Sequence, residues 1–233
     1  MSVRELLDPS NCALVMIDYQ PQMLFAVSSI DGQTLVNNTT LIAKAAKLFK
    51  VPTLLTTVAT KTFSGPTFKQ LVDVFPGQEL IDRTTMNAWE DVRVKRAVER
   101  MGRKKLIFGG LWTSVCIAMP ALMALEEGHD VYCVVDACGD VNQMVQDSSV
   151  QRMVQAGVAP ITSLQFLLEL QRDWARQATY SGVMDIVQQH AGTYGVGAQY
   201  ARAFIPHASE AGGGVGAAAV GPQEQRQTPV RTQ

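Results

Sequence analysis

Metal-binding and phosphate-binding signatures are missing from this 233-residue chain. Its four cysteines, Cys12, Cys116, Cys133 and Cys138, form no CxxC pair, and only three histidines, His129, His190 and His207, accompany them. Structural zinc needs several such ligands at short spacing, so no metal site is expected. Gly109-Gly110 does not extend to GxGxxG, and no GxxxxGKS or GxxxxGKT occurs, so neither nucleotide-phosphate loop can be read and no cofactor is implied. Charge of one sign is absent too: 20 Lys+Arg against 21 Asp+Glu give a formal net charge of -1, without an overall pull towards nucleic acid or anionic lipid. The N-terminal MSVRELLDPS carries acids early, and the apolar run from Ala13 stops at Asp18. Neither a signal peptide nor a membrane span is read there, and the default expectation is a reducing cytoplasm with free thiols.

Apolar material is plentiful. Hydrophobic residues make up 47% of the chain and charged residues 18%, enough for one sizeable core. Cys12 to Ile17 is continuously apolar, as expected for a strand covered on both faces of a parallel sheet. An amphipathic helix follows over 35–50, then a strand over 53–57, a loop over 59–77 with a short helix near 68–74, and a weak strand at Leu80-Ile81. A basic helix at 92–101 closes at Gly102. The clearest βαβ unit comes next: a strand from Lys105, a helix capped by Thr113 or Ser114 and running to Glu127, and a strand over 130–136. A helix at 142–156, a short strand at 157–162, a helix at 163–178 and a short helix at 183–190 complete the ordered part. This alternation predicts α/β architecture, a mostly parallel sheet with helices on both faces. The domain is expected to span 1–205, with its core at about 8–178 and an extension at 179–205. The Gly/Ala/Gln-rich segment 206–233 reads as a flexible tail.

In open parallel sheets, working residues gather beyond the carboxyl ends of the strands. Asp18 closes the first strand, Arg83 follows the weak third, and Cys116 lies past the strand ending at Gly109. Asp18 reads either as a cap for neighbouring backbone or as a general base. Cys116 reads either as a small buried hydrophobe or as a nucleophile in a first helical turn, where N–H groups and the dipole would lower its pKa and hold an oxyanion. Pro120 lacks the N–H that would bond the Cys116 carbonyl, so a kink is expected there. Cys12, Cys133 and Cys138 read as core thiols.

The segments Ala13 to Gln22, Arg83 to Trp89, Gly109 to Cys116, Ala121 to Gly128 and Val134 to Ala137, taken in order, resemble the isochorismatase-like cysteine hydrolase superfamily, most closely its YcaC-type branch. The resemblance covers roughly 8–178. It implies a Rossmann-like three-layer α/β/α sandwich and an Asp, Lys, Cys triad, with Asp18 as the acid/base and Cys116 as the nucleophile. Arg83 stands where family members usually carry Lys; it keeps the charge but is a poor proton donor. The resemblance also implies a non-proline cis peptide, expected at Trp112-Thr113, with backbone N–H groups from Thr113 through Val115 to Cys116 stabilising the oxyanion. The metal-binding Asp-x-His of nicotinamidases is missing from 58–62. Phe25, Trp89 and Trp112 are candidate pocket walls and Asn87 a polar contact, while Arg83 could instead clamp a substrate carboxylate.

The implied activity is hydrolysis of a C–N bond in a small amide through a thioester. The alternative is a catalytically reduced member, kept as a ligand-binding or oligomeric scaffold because of Arg83. A hydrolase without a covalent intermediate is disfavoured by the presence of Cys116. Partners are expected to be a small-molecule substrate and further copies of the chain, since relatives form homo-oligomers, octamers among them. The surplus apolar residues of 183–205 could cover a neighbouring subunit.

Overall fold

The computed structural model describes residues 6–205; the tail expected at 206–233 lies outside the described residues. Six strands form one all-parallel sheet in the order β3-β2-β1-β4-β5-β6. They are β1 (Cys12–Ile17), β2 (Thr53–Val58), β3 (Ile81–Arg83), β4 (Lys105–Gly110), β5 (Asp130–Val134) and β6 (Ala159–Ile161). The central strand β1 pairs with β2 from Leu14 opposite Thr53 and with β4 from Cys12 opposite Lys105. The direction of winding reverses between β1 and β4, and such a reversal opens a crevice at the carboxyl ends of those strands.

Nine helices cover the sheet among the described residues: α1 (Pro21–Phe25), α2 (Gly32–Leu48), α3 (Lys69–Val74), α4 (Val92–Met101), α5 (Ala118–Glu126), α6 (Gln143–Ala156), α7 (Ser163–Gln171), α8 (Gln177–His190) and α9 (Thr193–Phe204). Because strand side chains alternate, β1 feeds two cores. Cys12, Leu14 and Met16 join residues of α2, α3, α7 and α8, whereas Ala13, Val15 and Ile17 join residues of α4 and α5 with Met153 of α6. Both faces of β1 are buried, which explains its unbroken apolar run.

Several boundaries differ from those read in the sequence. β5 stops at Val134 and a single 3₁₀ turn covers Val135–Ala137, because Asp136 turns to accept the N–H and hydroxyl of Ser163 at 2.7 and 2.8 Å, holding the start of α7. The helix expected to reach residue 178 ends at Gln171. Arg172 adopts φ +57°, and the Gln171 amide donates to the carbonyls of Asp173 and Arg176, closing a turn before α8. α8 begins at Gln177, and α9 was not anticipated at all.

Candidate active site

Three strand ends converge. Past β1, Asp18 takes a left-handed backbone conformation (φ +56°), which Asp tolerates better than most residues, and its N–H donates to Thr56 O at 3.1 Å. Its side chain is fully buried. Arg83 ends β3 and is 3% exposed. After β4 the chain makes one parallel bridge, Leu111 opposite Gly139, and enters a wide turn over Thr113–Ile117 that carries Cys116 into α5. Gly110 permits this approach, since a Cβ there would collide with the Ile17 carbonyl of β1.

Details of that turn correct the sequence reading. The non-proline cis peptide lies at Leu111–Trp112, one residue before the expected Trp112-Thr113, at the bridge that closes β4. Neither Thr113 nor Ser114 caps the helix with its side chain. The buried Asp140, on the loop after β5, instead accepts the Ser114 N–H at 2.7 Å, and Gly139 O accepts the Thr113 N–H at 3.1 Å. Val115 N–H is bonded to Trp112 O at 3.2 Å. Three of the four N–H groups assigned to an oxyanion therefore already have acceptors. Pro120 falls in the first turn of α5, which begins at Ala118, where its missing N–H costs little.

An ion pair forms the centre of the site: Arg83 Nη2 donates to Asp18 Oδ2 at 2.6 Å, with no exposure on either side chain. Arg83 Nη1 donates to the carbonyls of Thr85 and Met86, which fixes the guanidinium plane. With two of its nitrogens engaged inside the protein, Arg83 suits charge compensation better than a carboxylate clamp. Among the described residues, Asp18 Oδ1 and Arg83 Nε have no regular hydrogen-bond partner. The Cys116 thiol lies against the Asp18 carboxylate.

These contacts set the protonation states. Burial pushes the Asp18 carboxyl up to about 6, against the pull of Arg83 and the thiol contact. Burial, then Asp18, push the Cys116 thiol up to about 12, opposed by Arg83 and by an N–H from Trp112. The lowering expected from a first helical turn does not occur: the cysteine rests as a thiol beside a carboxylate able to accept its proton.

The pocket candidates disperse. Phe25 is 78% exposed at the end of α1. Trp89 is buried, its ring 6.3 Å from Phe108 and 5.7 Å from His129, in core packing. Asn87 accepts the Trp89 N–H and donates to Glu90, capping the short turn between them. Trp112, half-buried, donates its indole N–H to Met23 O at 2.8 Å beside the turn that carries Cys116. Two residues missed in the sequence complete the frame. Asp140 has no motif around it to reveal it. Gln20, fully buried, bonds Val58 in both directions and Gly65 O, tying the loop after β2 to the segment following Asp18. Among the described residues no three His, Cys, Asp or Glu side chains could hold a metal ion.

Comparison with known proteins agrees with this frame. Residues 12–165 match the Isochorismatase domain family. "Probable hydrolase YcaC" of Escherichia coli K12 is 35% identical over 189 residues, covering 81% of this chain and 90% of that protein. The crystal structure of the E. coli YcaC gene product, described as an octameric hydrolase of unknown specificity, superposes with a TM-score of 0.80 over 84% of this chain and 97% of that one, at 35% identity. YcaC from Pseudomonas aeruginosa, solved with hexane-2,5-diol and covalent acrylamide, gives a TM-score of 0.81 at 34% identity, covering 85% of this chain and 98% of that one.

Proposed function

The chain belongs to the isochorismatase-like hydrolase family, with YcaC-like relatives, and from that premise we propose that it cleaves the C–N bond of a small amide with Cys116 as nucleophile. The observation that carries this reading is the buried Asp18 carboxylate, held by Arg83 on one oxygen and faced by the Cys116 thiol.

At rest the proton stays on sulfur. As the sulfur approaches the substrate carbonyl carbon, Asp18 takes the thiol proton and the S–C bond forms. The carbonyl electron pair moves to oxygen, and the Cys116 N–H, which is not committed to Gly139, Asp140 or Trp112, is the candidate donor for the oxyanion. Collapse of the tetrahedral adduct breaks the C–N bond, and the amine leaves with the proton returned by Asp18. Asp18, again a carboxylate, draws a proton from water, which attacks the thioester; the acid departs and the thiol is restored. Arg83 keeps positive charge beside Asp18 throughout and need not transfer a proton.

Two further features favour an active enzyme over the scaffold alternative: the ion pair is intact with Arg in place of Lys, and a relative carries covalent acrylamide, an amide-bearing electrophile of the kind thiols attack. The E. coli relative's octameric assembly supports homo-oligomers for this chain. α9 leaves Tyr200 and Phe204 exposed for such contacts. The test is amine release from a panel of small amides, with hydroxylamine added to trap a thioester as hydroxamate. Turnover and trapping in the native chain, both absent in Cys116→Ala, are expected; turnover undiminished in that variant refutes the mechanism.

A further inference from the structure

Away from the Asp18–Cys116 pair, a cavity of about 480 Å³ opens between α6, the turn after β5 and the Ser29-Ile30 loop. Neither Asp18 nor Cys116 lines it. Its volume falls within the range of small-molecule sites. Three features define what it would hold. Ile30, Val150 and Val154 offer an apolar wall. Asp136, whose oxygens already accept from Ser163, and the exposed Asp147 place two negative charges on its rim, and no Lys or Arg lines the cavity among the described residues, so its potential is negative. Gln146, 8% exposed, is one of the lining residues, and its buried side-chain oxygen Oε1 has no hydrogen-bond partner among the described residues. A buried acceptor without a donor is costly, and an N–H from a ligand would satisfy it.

We propose that this cavity binds a small amphipathic amine in its ammonium form, with the apolar body against Ile30, Val150 and Val154 and an N–H donated to Gln146 Oε1 within the field of Asp136 and Asp147. An anion of the same size would meet two carboxylates, and a neutral alcohol would keep the hydrogen bond but lose the charge attraction.

The experiment is calorimetric titration of the full-length, assembled protein with n-hexylammonium, 1-hexanol and hexanoate as probes. One saturable site per chain is expected for n-hexylammonium, at least tenfold tighter than for hexanoate and with hexanol between them. Gln146→Leu should weaken the ammonium about tenfold, the scale of a hydrogen bond to a charged group. Val154→Trp changes a residue 45% exposed, so the fold should hold, and its ring should fill the cavity and remove binding. Cys116→Ala should bind like the native chain, which separates this site from the catalytic one. Absence of saturable binding, hexanoate binding as tightly as the ammonium, indifference to both cavity variants, or loss in Cys116→Ala would each overturn the proposal.

Discussion

Cys12 and Cys116 are both free, both buried at 0% and 2% exposure, and both pushed up to about 12 chiefly by loss of hydration. They differ in what faces them. Cys12, at the start of β1, donates to the Asp8 carbonyl at 3.2 Å, and the Asp8 carboxylate nearby, kept below its ordinary value by Ser10, is a poor proton acceptor. Cys116 sits beyond the other end of β1, against the Asp18 carboxylate. A peptide carbonyl cannot take a proton near neutrality, whereas a carboxyl raised to about 6 can. Burial and a raised pKa are common to both thiols, and the proposed mechanism rests on the acceptor that only Cys116 has.

Removing each sulfur breaks the comparison most sharply. Cys116→Ala should cut amide turnover by about 10³-fold or more, while Cys12→Ala stays within about threefold, as measured by amine release. Asp18→Asn removes the acceptor and should lower kcat by about 10³-fold. Arg83→Met should cost about 10²-fold, whereas Arg83→Lys, which keeps the charge but loses the planar fork to Thr85 and Met86, should remain within about tenfold. Equal losses in both variants would mean that geometry rather than charge matters there.

The pH profile sharpens the same contrast. Asp18 must be ionised to accept the proton, and its value is raised to about 6, so kcat/KM should fall tenfold per unit as pH drops below about 6 rather than below about 4. The linked stability has the opposite sign. Between about 4 and about 6 the folded state holds this proton more tightly than the unfolded chain, so Asp18's contribution to stability decreases as pH rises through that window. Asp140→Asn should have a smaller effect than Cys116→Ala, Asp18→Asn or Arg83→Met, roughly tenfold on kcat with KM little changed, because it loosens the Ser114 N–H bond that orients the turn carrying Cys116 without touching the proposed reacting atoms.

The sheet was legible because strands buried on both faces leave continuous apolar runs, as Cys12–Ile17 does. Asp18, Arg83 and Cys116 could be placed at one end of it because each follows a strand in a parallel sheet, where all carboxyl ends share one edge. Elements fixed by distant partners were not legible. α9 carries Gly195 and Gly197, which lower helix propensity, yet Gly195 is where α9 comes close to the α8 backbone: a Cβ there would lie 2.5 Å from Val187 O. Asp140 serves Ser114 from 26 residues away, and no local pattern encodes that bond. Asn87 caps a short turn and Trp89 packs against Phe108 and His129, contacts that the sequence does not distinguish from a place in a pocket because polar and aromatic side chains near a site read alike.

Mass spectrometry of the intact, folded protein after brief exposure to acrylamide tests the central claim most directly, with Cys12→Ala, Cys116→Ala and Asp18→Asn in parallel. The account predicts a single adduct, retained in Cys12→Ala, absent in Cys116→Ala and strongly slowed in Asp18→Asn. An adduct that persists without Cys116, or one that forms at an unchanged rate without the Asp18 carboxylate, would contradict it.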